Sequence, residues 1–123
     1  MASDRLTPGL TAEITTVVDD TLVVKHMGGE GVLSTPSMIG LMERAGIQAV
    51  QAHLPEGHTT VGFEVNVKHV GGALEGAECT ATARLREVID GRKLRFDVEV
   101  KEGARTIGVG THERRMISVT PEV

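Results

Sequence analysis

The sequence predicts an α+β fold: one long helix, apolar around most of its girth, wrapped by an antiparallel sheet of about five to six strands with one dry face. Two observations carry this. Only Ser34 to Leu54 keeps a helical period, and from residue 60 onward the apolar residues recur every second position. A chain of 123 residues suits a single domain that buries roughly two-thirds of its unfolded surface. Residues 1–123 are therefore read as one unit, with 1–9 expected to be a loose N-terminus.

The helix has a start and a stop. Ser34 or Thr35 can cap its N-terminus, Pro36 suits the first helical position, and Pro55 and Gly57 stand where a helix ends. Ser37, Gly40, Arg44, Gln48 and Gln51 form one narrow polar stripe. Met38, Met42, Ala45, Ala49 and His53 form a second stripe, and Ile39, Glu43, Ile47, Val50 and Leu54 a third. One carboxylate thus sits among apolar residues, on a helix suited to burial against a sheet and a second partner.

Strands account for the rest. Leu10–Val18 and Thr21–Lys25 are rich in β-branched residues and meet at Asp19-Asp20, and a Gly-rich loop, His26–Gly31, leads toward the helix. Beyond it, Val61, Phe63, Val65, Val67 and His69 alternate with Gly62, Glu64, Asn66 and Lys68. Cys79, Ala81, Ala83 and Leu85 mark the dry face of the next strand, and Leu94, Phe96, Val98 and Val100 that of the one after. Asp90-Gly91 between these two is a hairpin signal. Gly103 marks a turn, and Arg105–Val119 supplies a long last strand.

Composition excludes several classes. A net charge of -4 opposes binding to a phosphate backbone, and Phe63 and Phe96, the only aromatic residues, give bases little to stack on. No apolar run reaches membrane-spanning length, and the N-terminal stretch lacks the pattern of a signal peptide. The single Cys79 reads as a small buried filler, and a reducing cytoplasm is the expected compartment. No zinc-ligand spacing occurs, and His53 and His58 lack a third ligand, so no metal is expected.

Three residues stand out, each with an ordinary reading beside it. Thr35 is most simply a helix cap. Glu43 is either a flank residue whose stem lies on the core, or a carboxylate held partly out of water as general base or nucleophile. A lone histidine such as His69, at the end of a dry strand face, is ordinarily structural. Their combination says more: Thr35 and Glu43 lie about two turns apart on one helix, and His69 ends the strand that must pack against it. A hydroxyl, a carboxylate and an imidazole around one apolar crevice suit acyl transfer. His112 with Glu113 on the last strand is a second acid-base pair or, more simply, a structural one.

The matching stretches Thr35…Gly40-Leu41-Met42-Glu43, Val61-Gly62-Phe63…His69 and Gly108-Val109-Gly110-Thr111-His112-Glu113-Arg114 resemble the fluoroacetyl-CoA thioesterase group of the hot-dog fold, in which a long helix lies in an antiparallel sheet. The resemblance covers roughly residues 34 to 119. It implies that Thr35, Glu43 and His69 are the catalytic set and that Gly62 is a backbone contact to the thioester. Backbone N–H groups around Gly40 or Gly62 are the expected holders of the oxyanion. Before the helix the likeness is poor: the fluoroacetyl-specific enzyme has a longer segment bearing phenylalanines, where this chain has the aromatic-free HMGGEGVLS. The general activity is therefore read across, hydrolysis of a small-to-medium acyl-CoA, and not the particular acyl group.

The expected enzyme needs no cofactor, CoA entering as part of its substrate. Arg84, Arg86, Arg92, Lys93, Arg95, Arg114 and Arg115 are candidates for the CoA phosphates, although alternating strand arginines are usually a solvated face. The uncovered third stripe and an open sheet edge predict a homodimer, with a dimer of dimers as an extension. Two other functions fit the fold: a non-catalytic acyl-CoA-binding module, and a CoA-linked dehydratase, which usually wants an Asp/His pair that this helix lacks.

Overall fold

The computed structural model describes residues 5–26 and 29–119. Five strands form one antiparallel sheet in the order β1-β5-β6-β7-β4: β1 (Thr11–Val17), β4 (His58–His69), β5 (Glu78–Ile89), β6 (Lys93–Glu102) and β7 (Arg105–Ser118). The helix α1 (Thr35–Gln51) packs against all five. Two short strands, β2 (Val23–Val24) and β3 (Val32–Leu33), make a separate ribbon just before it. The first two strands of the chain therefore do not form a hairpin; β1 pairs with β5, and β2 turns back on β3. The N-terminus is also better anchored than its sequence suggests. Residues 1–4 lie outside the described residues, but Leu6 is in the core and the Gly9 amide donates to the Leu85 carbonyl at 2.7 Å.

The core is built as the alternation predicts. Cys79, Ala81, Ala83, Leu85, Leu94, Phe96, Val98 and Val100 are all buried, facing Met38, Leu41, Met42, Ala45, Ala49 and Val50 of α1. Small residues on β5 leave room for the helix, and each large side chain buried there contributes about 1.5–3 kcal/mol. Asp90 (φ 56°) and Gly91 (φ 70°) take up the left-handed conformation of a tight turn, in a hairpin whose ladder closes at Ile89 and Lys93. The third helical stripe stays only partly covered, with Ile47 36% exposed.

Ser34, not Thr35, caps the helix: its Oγ accepts from the Ser37 amide at 3.1 Å, and Pro36 occupies the first turn. Ser34→Ala should therefore cost about 1 kcal/mol, a fall in Tm of about 3–5 °C. Thr35→Ala should cost less, since Thr35 is exposed, caps nothing and gives up only an exposed side-chain bond to His69. Thermal unfolding of the two variants checks the assignment.

A β-bulge between Gly62 and Glu64 departs from the plain alternation read for β4. Before it, Thr60 and Gly62 face the helix side; after it, Val65, Val67 and His69 do, opposite His112, Gly110 and Gly108. Val61 and Phe63 fall on the outer face instead, where the Arg115 guanidinium lies 3.6 Å from the Phe63 ring centre. Gly62 and His69 are seven positions apart. In a regular strand they would point to opposite faces, and the extra residue brings both to the helix.

Candidate active site

Two clusters form along α1. At its N-terminus, Thr35 Oγ1 and His69 Nδ1 are 2.8 Å apart, joining the helix entry to the end of β4. His69 is half-buried, and its Nε2 is covered with no hydrogen-bond partner among the described residues. An open crevice of about 450 Å³ lies beside this pair, walled by Val24, Val32, Leu33 and Val70, with His26 on its lining. No phenylalanine lines it among the described residues.

Glu43 belongs to the second cluster. Its carboxylate is so close to Gly62 that a β-carbon there would stand 3.0 Å from Oε2. Arg114 Nη1 is 3.9 Å from the same oxygen, an ion-pair distance with the arginine buried and Glu43 39% exposed. Arg114 donates from Nε to Thr60 Oγ1 at 2.8 Å and from Nη2 to the Thr60 carbonyl at 3.0 Å. Burial holds the Arg114 pKa below its usual value, and the charge of Glu43 acts in the opposite direction. His112, stacked on Phe96, is 3.2 Å from Arg114 Nη1 through its Nε2 and 2.8 Å from the Glu64 carbonyl through its Nδ1. Burial is the main cause that lowers the His112 pKa, partly opposed by the bond to Glu64.

The structure thus brings Thr35 to His69 and Glu43 to Gly62, but it separates the two pairs. Eight helical residues from Thr35 to Glu43 span about 12 Å, whereas reacting groups must come within about 3.5 Å of one another. Gly40 lies inside the helix, where a regular amide donates to the carbonyl four residues back. It offers space: a β-carbon on Gly40 would touch nothing within 4 Å.

His112 and Glu113 are not a pair, since His112 faces the helix and Glu113 the opposite side. Glu113 accepts from Arg95 Nε at 2.9 Å and Arg115 Nε at 2.6 Å. The bond from Arg115, then that from Arg95, holds its carboxyl below the usual range. These contacts also sort the candidates for the CoA phosphates. Arg86, Lys93, Arg95 and Arg115 have acidic partners, and Arg114 is buried under the helix. Arg84 and Arg92 have no acidic side chain within 4.0 Å among the described residues. No group of three potential metal ligands occurs among the described residues either.

A model of the FlK family, fluoroacetyl-CoA-specific thioesterases, matches residues 12–120. The chain belongs to this family. The fluoroacetyl-CoA thioesterase of Streptantibioticus cattleyicolor is 40% identical over 86 residues, which are 70% of this chain and 61% of that protein, so the match spans under two-thirds of the relative. A solved FlK variant in complex with fluoroacetate and CoA superposes with a TM-score of 0.81 at 33% identity, covering 92% of this chain and 96% of that one. A hot-dog-like protein from Thermanaerovibrio acidaminovorans shares the fold at 20% identity, with a TM-score of 0.83 over 94% of this chain and 87% of that one. The fold of this FlK-family chain is therefore the hot-dog fold.

Sequence reasoning did not find the role of Arg114, which it placed among phosphate binders, nor that of Thr60. Gly108, Gly110, His112, Arg114 and Met116 share one face of β7, but the only large apolar residue among them is Met116. Alternation of hydrophobicity could not say which face turns inward.

Proposed function

We propose that this FlK-family chain is an acyl-CoA thioesterase that releases CoA and a free acid, acting as a homodimer with an active site composed from two copies. The observation that carries this reading is the Thr35–His69 bond, with a buried ring nitrogen that has no partner among the described residues. Such an atom costs about 1–3 kcal/mol when nothing answers it, and it fits a site completed by substrate or water.

β4 supports the dimer. It is an edge strand of 12 residues bearing the exposed Val61, Phe63 and Val65, an edge suited to pairing with its own copy. An antiparallel pairing of that edge with its own copy runs the first half of β4 beside the second half of its partner's, bringing the Gly62 end of one copy toward the His69 end of the other. The Glu43–Gly62 cluster of one protomer then meets the Thr35–His69 cluster of its partner. Two clusters too far apart within one chain become one site. Packing of two such dimers is a further step consistent with the part-exposed helical stripe.

The chemistry follows from the groups. Glu43 takes a proton from water as the oxygen adds to the thioester carbon, or attacks that carbon itself to give an anhydride that water then cleaves. The Gly62 backbone is the proposed contact to the thioester, where a good oxyanion donor contributes roughly 3–4 kcal/mol. The C–S bond breaks, and His69, set by Thr35, supplies the proton to the departing CoA sulfur. The reaction requires no metal or bound cofactor. The aliphatic crevice suits a small-to-medium acyl group, and the buried, unpaired Cys79 suits a reducing cytoplasm.

Co-expression of His69→Ala with Glu43→Ala tests function and assembly together. Each variant alone should be inactive, yet random mixing makes half the dimers hybrid with one whole site, so about a quarter of the parent thiol-release rate should return. A mixture whose hybrid dimers are verified by mass and remain inactive would place the site within one chain. Single variants that each keep the parent rate would remove the catalytic assignment.

A further inference from the structure

We propose that His112 is a positioning residue for hydrolysis: its neutral ring is the acceptor that orients Arg114, and Arg114 in turn orients Glu43. The inference rests on the reading of Glu43 as the reacting carboxylate. The hydrogen-bond chemistry leaves one consistent arrangement. The Glu64 carbonyl can only accept, so the proton lies on His112 Nδ1. Nε2 is then a lone pair, and it faces Arg114 Nη1, which can only donate. A carbonyl on one side and a guanidinium on the other fix a single neutral tautomer. The lowered pKa of the ring agrees with this state.

Each member is held from outside the cluster. Phe96 stacks on the His112 ring at 6.2 Å between centroids, and Thr60 takes two of the guanidinium hydrogens. Nη1 bridges the two functions, bonding His112 while lying 3.9 Å from Glu43 Oε2. That spacing is too long for a hydrogen bond, so the direction of Nη1 decides how the positive charge meets the carboxylate. The β4 bulge completes the arrangement, since it sets the Glu64 carbonyl over His112 while turning Gly62 toward Glu43. A rigid support of this kind keeps a reacting group within the fraction of an ångström that catalysis requires.

The test compares two amides that differ in reach. His112→Asn can still donate to the Glu64 carbonyl but falls short of Arg114, whereas His112→Gln can present its oxygen where Nε2 stood. With Tm values within a few degrees of each other, Asn should lower kcat for acyl-CoA hydrolysis by between about ten- and a hundredfold, with KM within about twofold. Gln should restore kcat to within about threefold of the parent. Thr60→Val, which releases the guanidinium on its other side, should lower kcat in the same manner and serves if the Asn variant does not fold. Added to Glu43→Ala, the Asn change should cause no further loss, because its effect passes through Glu43. Parent-level kcat in a folded Asn or Thr60→Val variant, or equal kcat for Asn and Gln, would overturn the role of His112. Retained activity in Glu43→Ala would instead sink the reading of Glu43, so the two failures are distinguishable.

Discussion

Glu43→Ala should slow the release of free CoA from acyl-CoA by about a thousandfold or more while leaving the protein folded. The size follows from the proposed chemistry: alanine can neither take a proton from water nor attack the thioester, and Glu43 Oε2 is the atom nearest a β-carbon at Gly62. The intact fold follows from geometry. Glu43 is 39% exposed and meets Arg114 at 3.9 Å, so the pair contributes at most about 1 kcal/mol once screened by solvent. Arg114 keeps its bonds to Thr60 and His112 and is not orphaned. Glu43→Gln should be as inactive, since the amide keeps the shape but neither function. Thiol release at saturating substrate, beside circular dichroism and Tm, makes the measurement. Near-parent turnover in the folded alanine variant would refute the catalytic role. Loss of turnover with tight acyl-CoA binding retained would distinguish a disabled enzyme from a lost substrate site.

Much of the architecture was legible because apolar period and turn chemistry agree along this chain. The Ser34–Leu54 pattern, the dry faces of β5 and β6, and the Asp90-Gly91 turn each rest on local signals that tertiary packing does not reverse. The bulge in β4 was not legible. One extra residue shifts every later side chain to the other face, and a strand of alternating valines reads equally well in either phase. The β2–β3 ribbon was missed because two-residue strands have no period to detect.

The site was legible in its residue types more than in its grouping. Spacing placed Thr35 near His69, and the structure joins them at 2.8 Å. Spacing could not show that Glu43 goes with Gly62 and Arg114 instead. A carboxylate on an apolar stripe announces that something holds it, but the holder lies in β7, and no local pattern in the sequence names it. The same limit hides what Gly40 contributes, since a glycine looks alike whether it supplies a donor or only room.

Gly110→Ala should destabilise the fold by about 3 kcal/mol or more, lowering Tm by about 10 °C or more. Gly110 lies inside the sheet, paired with Val67 of β4 on one side and Val98 of β6 on the other. A β-carbon there would collide with the Asn66 carbonyl oxygen and would stand 2.6 Å from the Val67 α-carbon. Both are backbone atoms of a strand already bound to β7, so no rotamer change relieves the clash and the strands must part. Gly108→Ala provides the comparison. Its β-carbon would meet the sulfur and methyl of Met38 and, at 3.1 Å, the methyl of Met42, the far ends of flexible side chains that can swing aside. Its cost should be nearer 1 kcal/mol, at the lower end for overpacking. Parting β4 from β7 would also displace Gly62 and His69, which β4 carries to the helix, so activity should fall at temperatures where Gly110→Ala is still folded. Equal Tm values for the two alanine variants would show that the sheet yields as easily as methionine does, and would remove the reason for a glycine at this position.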